Sequence, residues 1–393
     1  MPPAAADSAT ATPPPAIPAT EPAPAVPAQP PPVAADTAPP PATAKDAPPA
    51  SPSTGPSTEA PAPSGSAGAT VPAAPSDKPP TEAAVPTPAP LVALIAANGL
   101  PAPPPEKPAV PARCPPLDPA ALVEWTPVGR LPRIDANGCM PWLANAAAFN
   151  YRETRPRVGV IVLGLGKDPQ LTQRAIDALP PRISLGFASD APWLDRWIDR
   201  ARARGHEVLV MLPVQAPDKP RDSTWPPLRA DVAPEENMRR LHTLLARAGA
   251  GYIGVIVPTT TPLSSTDAAL RPLLKEVGDR GLLVLETFRT GRTVYQTSKE
   301  LGVPYSSDAG WIDRKSEPDE ITANLQALEE FTLVNRFALA VATAQRETIE
   351  RLIAWSKDIE TRGIALAPVT GLTECVDLCA ERVRKAMVGG GGR

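Results

Sequence analysis

Proline is concentrated at the amino-terminal end of the chain, and this feature limits where a fold can begin. Of the 57 prolines, 37 lie within residues 1–120, mixed with alanine, serine and threonine. Proline lacks a backbone N–H and favours extended polyproline conformations, and a segment so poor in large apolar residues cannot bury a core. We therefore predict that residues 1–120 form a disordered Pro/Ala-rich tether.

Downstream of the tether, short β-branched runs alternate with amphipathic helical patterns over residues 158–369. Apolar strands separated by helices of about 10–16 residues are typical of a parallel sheet covered by helices. Seven or eight such units predict an α/β fold, a distorted (β/α) barrel, as one domain over residues 155–372. We assign residues 121–154 to a lead-in segment and residues 373–393 to a C-terminal tail.

Charge and hydropathy argue against two classes of partner. The net charge is −3 and the arginines are interspersed with acidic residues, so no basic stripe is available for nucleic acid. The apolar run at residues 90–98 is far shorter than the roughly 20 residues that span a bilayer. We expect no nucleic acid partner and, in the sequence as given, no membrane span and no signal peptide.

The four cysteines lie outside residues 155–372, and their spacing is not that of a zinc site. Cys375 and Cys379 are predicted to share a helix face. We interpret Cys114, Cys139 and this pair as packed thiols or facultative disulfides.

The chain has two histidines, and neither is placed for nucleophilic catalysis. His206 precedes a predicted strand, and His242 lies within a predicted helix. In a β/α barrel the functional groups sit instead at the carboxyl ends of the strands. We interpret both histidines as structural.

The carboxyl ends of the predicted strands supply the candidate site. We call this end of the barrel the mouth. The candidate mouth-lining residues are Met211, Thr259, Thr260, Glu286, Asp308, Asp313 and Gln345.

These residues leave several interpretations open. Glu286, Asp308 and Asp313 form either a magnesium- or calcium-type site or a fortuitous solvated cluster, which is favoured. The hydroxyl-rich loop that begins at Thr259 either binds sugar hydroxyls or caps the helix near Asp267, and capping is favoured.

A dinucleotide site is a further alternative at the first strand end. The stretch Leu163-Gly164-Leu165-Gly166 follows a strand and Asp190 follows the next one, as in nucleotide-binding folds. The third glycine position of that fingerprint holds Pro169, however. We therefore favour a tight strand-to-helix turn that needs glycine.

The chain resembles the divergent polysaccharide deacetylase family over residues 155–372. The resemblance lies in the order of the strand motifs and in the segments RGHEVLVMLPV, PEENMRRLHTLLAR, GYIGVIVP and TIERLIAWSKDIETRGIALAPVTGL. The preceding LPRIDANGCMPW resembles a segment that often leads into this domain. The resemblance implies a distorted β/α barrel, an exported protein of carbohydrate or envelope biology, and relatives that activate water on an Asp–His–His metal site.

The family motifs are degenerate at the positions where that metal would be held. The later aspartate pair survives only as Asp313 beside Arg314. The positions that match the other ligand motifs are Leu163 and Gly164, Met211, the segment 257–260, Glu286 and Thr287, and the segment 343–345.

The resemblance and the lost ligands together predict a catalytically silent binding or scaffolding module without a cofactor. The expected partners are polysaccharide or peptidoglycan fragments or an envelope protein, and the expected location is the periplasm or cell envelope. The alternatives are a metal-dependent carbohydrate deacetylase with a rebuilt carboxylate site and a protein–protein interaction module.

Overall fold

The folded part of the chain is described here from a computed structural model. The structure describes residues 114, 118–215, 226–258, 261–288, 291–375 and 378–389. Thr259 and Thr260, and nearly all of the predicted tether, lie outside the described residues.

Strands and helices alternate along most of the described chain. The strands are β1 (Val123–Thr126), β2 (Gly129–Pro132), β3 (Arg157–Leu165), β4 (Ser184–Phe187), β5 (Val208–Met211), β6 (Gly254–Pro258), β7 (Leu283–Thr287), β8 (Tyr305–Ser307), β9 (Gly310–Trp311), β10 (Phe337–Thr343) and β11 (Ala365–Leu366). The helices are α1 (Pro141–Ala144), α2 (Pro169–Ala178), α3 (Leu194–Ala203), α4 (Pro234–Ala248), α5 (Pro262–Ser265), α6 (Asp267–Asp279), α7 (Thr293–Leu301), α8 (Pro318–Asn335), α9 (Arg346–Asp358) and α10 (Leu378–Gly389).

The main sheet is parallel and curls back towards itself. Its strand order is β8-β7-β6-β5-β4-β3-β10-β9, and β11 pairs with the beginning of β3. The edge strands β8 and β9 belong to one stretch of chain, residues 305–311, which pairs with β7 on one side and with β10 on the other. The predicted α/β fold of the distorted barrel type is therefore confirmed.

The sheet is packed between two apolar layers. The first lies between the sheet and the helices and includes Val158, Val160 and Val162 of β3. The second fills the inside of the barrel and includes Ile161 and Leu163 of the same strand, because successive side chains of a strand point to opposite faces. Each fully buried side chain of this size contributes about 1.5 to 3 kcal/mol.

The lead-in segment and the tail pack against the amino end of the barrel, opposite the mouth. The amide of Trp142 donates to the carbonyl of Gly281, just before β7, at 3.1 Å. From α10, Arg382 donates to the carbonyls of Leu301 and Gly278, near the ends of α7 and α6. These segments are therefore part of the folded unit, and their packing seals its amino end.

Disulfides secure both sealing segments. Cys114 pairs with Cys139 in the lead-in segment, and Cys375 pairs with Cys379 in the tail. The prediction that the last two share a helix face is wrong, because Cys375 precedes α10 and only Cys379 lies within it. Within the described residues, no helix is long and apolar enough to cross a bilayer.

A buried carboxylate joins three segments at the amino end. Glu207 accepts hydrogen bonds from the amides of Ala147 and Thr370, each at 3.0 Å, and from the hydroxyls of Thr370 and Ser184. Burial raises the pKa of Glu207, and the hydrogen bonds from Thr370 and Ala147 act in the opposite direction. This carboxylate ties the lead-in segment, β4 and the segment after β11 to the start of β5.

Candidate functional site

The inner face of the mouth is apolar at the points where the strands end. Leu163 at the end of β3 belongs to the inner apolar cluster, and Met211 of β5 and Trp311 of β9 pack against that cluster. Met211 and Trp311 are partly exposed, so the mouth presents their side chains to solvent. Of the candidate residues, Met211 therefore lies on the inner side of the mouth.

An aromatic pair stands at the ends of β7 and β9. The ring centroids of Phe288 and Trp311 are 4.4 Å apart and the rings are tilted by 45°. Phe288 has φ of 61°, in the left-handed region that non-glycine residues avoid. Its amide donates to Oδ1 of Asp308 at 2.9 Å, so this candidate carboxylate holds the residue that carries the aromatic ring.

This contact gives a testable prediction. Asp308→Ala removes the acceptor that stabilises the left-handed backbone at Phe288, and we expect a loss of about 1 to 2 kcal/mol in the free energy of unfolding. Asp308→Asn is the matched control, since its amide oxygen still accepts the hydrogen bond. Urea unfolding of the three proteins measures the effect, and equal losses in both variants would contradict this role.

Asp313 is buried and binds the loop between β10 and α9. Its Oδ2 accepts from the amide of Thr343 at 2.8 Å, the hydroxyl of Thr343 at 2.6 Å and the hydroxyl of Thr348 at 2.8 Å. Burial raises the pKa of Asp313, and these donors oppose that shift. Its Oδ1 is buried and has no hydrogen-bond partner among the residues that the structure describes.

Gln345 joins the same loop to the segment before α8. Its amide nitrogen donates to the hydroxyl of Thr343 at 2.7 Å, and the hydroxyl of Ser316 donates to its side-chain oxygen. Both Gln345 and Thr343 are partly exposed. This side of the mouth therefore carries polar groups beside the aromatic pair.

Glu286 faces away from the inside of the barrel. It lies on the same face of β7 as Val284, which belongs to the layer beneath the helices, and the hydroxyl of Tyr305 donates to its carboxylate. The described partners are Tyr305 for Glu286, the amide of Phe288 for Asp308, and the β10–α9 loop for Asp313. The prediction of a solvated cluster is wrong for Glu286 and Asp313, because both are buried.

The residues present do not fit the metal of an Asp–His–His deacetylase. Leu163, Gly164 and Met211 carry no group that ligates a hydrolytic metal, whereas zinc is bound by histidine nitrogen, thiolate or carboxylate. No group of three histidine, cysteine or acidic side chains within the described parts of the chain is arranged to hold a metal ion.

The turn after β3 has a structural explanation. Gly164 and Gly166 have φ of 82° and 92°, which a side chain would disfavour. The amide of Gly166 donates to the hydroxyl of Thr172, and Asp190 forms an ion pair with Lys167 at 3.0 Å. The two glycines therefore serve the tight strand-to-helix turn rather than a complete nucleotide fingerprint.

The prediction that the hydroxyl-rich loop caps the helix near Asp267 is wrong, because that helix has no side-chain cap. Thr261 instead caps the short helix α5, in a capping box with Ser264. The two histidines lie away from the mouth: both ring nitrogens of His206 contact backbone carbonyls, and His242 contacts Glu276 at 2.7 Å.

Sequence and structure comparisons agree with this geometry. A family profile described as divergent polysaccharide deacetylase matches residues 160–373. Uncharacterized protein ATU2773 from Agrobacterium tumefaciens C58 has a crystal structure that is 30% identical, with a TM-score of 0.58, over 62% of this chain and 99% of that one. No curated protein matches the chain significantly.

Two more distant solved structures also match parts of the chain. A mutant CE4 family pseudoenzyme with restored enzymatic activity is 10% identical over 56% of this chain and 68% of its own, with a TM-score of 0.34. The Lactam Utilization Protein from Thermus thermophilus is 11% identical over 55% of this chain and 99% of its own, with a TM-score of 0.37. At these scores neither bears on the function of this chain.

Proposed function

Because this chain belongs to the divergent polysaccharide deacetylase family, we propose that it is a carbohydrate-binding module of the cell envelope that holds a sugar at the mouth without hydrolysing it. One observation carries the proposal: the aromatic pair of Phe288 and Trp311, whose rings are in contact, lies at the strand ends where a deacetylase needs metal ligands.

The chemistry of the mouth suits binding better than hydrolysis. Hydrolysis of an acetyl group depends on lowering the pKa of a bound water to near neutrality, and apolar side chains such as Leu163 and Met211 supply nothing for that step. Aromatic rings, in contrast, offer flat apolar faces on which the C–H face of a pyranose stacks. The neighbouring Gln345 and Ser316 add groups that hydrogen-bond to sugar hydroxyls.

The disulfides support placement outside the cytoplasm. All the cysteines within the described residues are paired, and disulfides persist in oxidising compartments such as the periplasm. The proposed site of action is therefore the periplasm or cell envelope, where polysaccharide is available.

Binding and hydrolysis can be measured on the same protein. We expect saturable binding of chitotetraose, cellotetraose or peptidoglycan fragments by calorimetry, with no acetate released from the acetylated sugars. Trp311→Ala removes the stacking surface and should weaken binding about fivefold or more, since stacking on an aromatic side chain contributes on the order of 1 to 3 kcal/mol for nucleic-acid bases. Trp125→Ala is the control, because this exposed tryptophan lies on β1 in the lead-in segment, away from the carboxyl ends of the barrel strands.

Two results would contradict the proposal. Acetate release that a chelator abolishes would restore the enzyme hypothesis and direct attention to Glu286, Asp308 and Asp313. A wild-type protein that binds none of these sugars but captures an envelope protein would favour the interaction module instead.

A further inference from the structure

Trp193, in the connection between β4 and α3, is an exposed aromatic residue in a strained backbone conformation. It is 66% exposed, and its φ and ψ of 49° and 43° lie in the left-handed region. A single exposed apolar residue needs no explanation, whereas a bulky residue at positive φ is an outlier. Such conformations cost stability and cluster at active sites and ligand clamps, so Trp193 calls for a functional explanation.

The same backbone conformation occurs at the aromatic pair. Among the residues that the structure describes, the non-glycine residues at positive φ are Trp193, Phe288 and Arg336. Arg336 ends α8, where a left-handed residue is common. The other two are aromatic, and each follows the carboxyl end of a barrel strand, β4 for Trp193 and β7 for Phe288. The mouth therefore carries this strain twice, each time at an aromatic residue.

The backbone around Trp193 is held on both sides. Before it, Arg247 of α4 donates to the carbonyl of Ala191, which is buried. After it, Leu194 is buried, and the amide of Trp197 donates to the carbonyl of Trp193 at 3.2 Å. A residue whose backbone is fixed in advance loses less conformational freedom when a ligand binds. Trp193 is thus anchored in the fold while its ring is open to solvent.

We propose that Trp193 is a second stacking platform of the mouth, which binds a further unit of the glycan held at Phe288 and Trp311. An exposed indole face offers the apolar surface on which the C–H face of a pyranose stacks. This inference rests on the proposed function and adds the class of ligand, a linear glycan of several units rather than a single sugar.

The order of the strands separates the two platforms. β3 and β10 lie between β4, which leads to Trp193, and β9, which carries Trp311. Neighbouring strands lie about 4.8 Å apart, so the carboxyl ends of β4 and β9 are about 14 Å apart along the sheet. One sugar ring is too small to cover that distance, whereas a chain of several rings covers it.

Binding measured against chain length tests the second platform. The full-length protein is titrated by calorimetry with chito- and cello-oligosaccharides from the disaccharide to the hexasaccharide. In the wild type, the affinity should rise with chain length. Trp193→Ala should raise the Kd for the hexasaccharide about fivefold or more and leave the Kd of the shortest sugar that binds unchanged. Trp125→Ala is the matched control, because Trp125 is also exposed but lies on β1.

Two further variants separate the ring from the backbone. Trp193→Phe keeps an aromatic face and should keep most of the gain in affinity with chain length. Trp193→Gly removes the ring and the strain together, because glycine adopts positive φ freely. We expect its thermal midpoint not to fall below that of the wild type, and its Kd for the hexasaccharide to match that of Trp193→Ala.

Each result decides the inference. An affinity that rises with chain length in the wild type and in Trp125→Ala, but not in Trp193→Ala, supports the second platform. An affinity independent of chain length, a loss that is the same for every sugar, or unchanged binding by Trp193→Ala and Trp193→Gly overturns it and leaves the proposed function in place. A wild-type protein that binds none of these sugars overturns it together with the proposed function.

Discussion

Glu207→Gln is expected to lower the free energy of unfolding by about 2 to 4 kcal/mol. Each carboxylate oxygen of Glu207 accepts from a backbone amide, Ala147 on one side and Thr370 on the other. A glutamine side chain has only one oxygen, so either orientation sets its NH₂ group against a backbone N–H. A buried donor left without an acceptor costs about 1 to 3 kcal/mol, and bonds to charged groups contribute about as much.

Urea unfolding measures this loss against a surface control. Glu347→Gln is suitable, because Glu347 forms a partly exposed ion pair with Arg351, and its loss should change the free energy of unfolding by less than about 1 kcal/mol. Similar losses in the two variants would contradict the buried network.

The pH dependence has a defined sign. Burial raises the pKa of Glu207, so its contribution to stability is complete below the unfolded value of about 4.3 and declines as the pH rises through the raised value. Glutamine does not titrate, so the free energy of unfolding of Glu207→Gln should decline less over that pH range than that of the wild type.

Loss of the disulfide between Cys114 and Cys139 should have the second large effect. The bond joins residues 25 apart in sequence, and a cross-link of this length stabilises by about 3 to 4 kcal/mol through the unfolded chain. Replacing both cysteines by serine should therefore lower the thermal midpoint by several degrees. The measurement is calorimetry without reductant, with the pairing confirmed by mass spectrometry.

The other disulfide is the matched comparison. Cys375 and Cys379 are only 4 residues apart, so their bond closes a much shorter loop. Losing this bond should therefore lower the thermal midpoint by less than losing the bond between Cys114 and Cys139. An equal or larger loss from the Cys375→Ser and Cys379→Ser double variant would show that chain entropy is not what distinguishes the two bonds.

The fold could be predicted because the sequence pattern of each strand and each helix is local. Each strand of the barrel is a short apolar run, and helices such as α4 and α9 show their apolar face in sequence spacing alone. The hairpin of β1 and β2 and the sealing of the amino end were not predicted. They depend on contacts between distant residues, such as Trp142 with Gly281, that no local pattern reports.

The candidate site was predicted less well, for two physical reasons. Glu286 was selected although its side chain faces the helices, because a shift of one residue along a strand moves a side chain to the other face. The pair of Phe288 and Trp311 was missed because the two rings come from different strand ends. The signal that was available is the position of each aromatic residue at the end of an apolar run.

The sealed amino end also determines how the protein presents its mouth. Cys114 packs against the inner cluster and is bonded to Cys139, whose neighbours Met140 and Pro141 contact Gly281 at the start of β7. Cys114 is therefore held on the side of the folded unit that is away from the carboxyl ends of the strands. With that side closed, the carboxyl ends of the strands, with Phe288 and Trp311, are the open side of the folded unit.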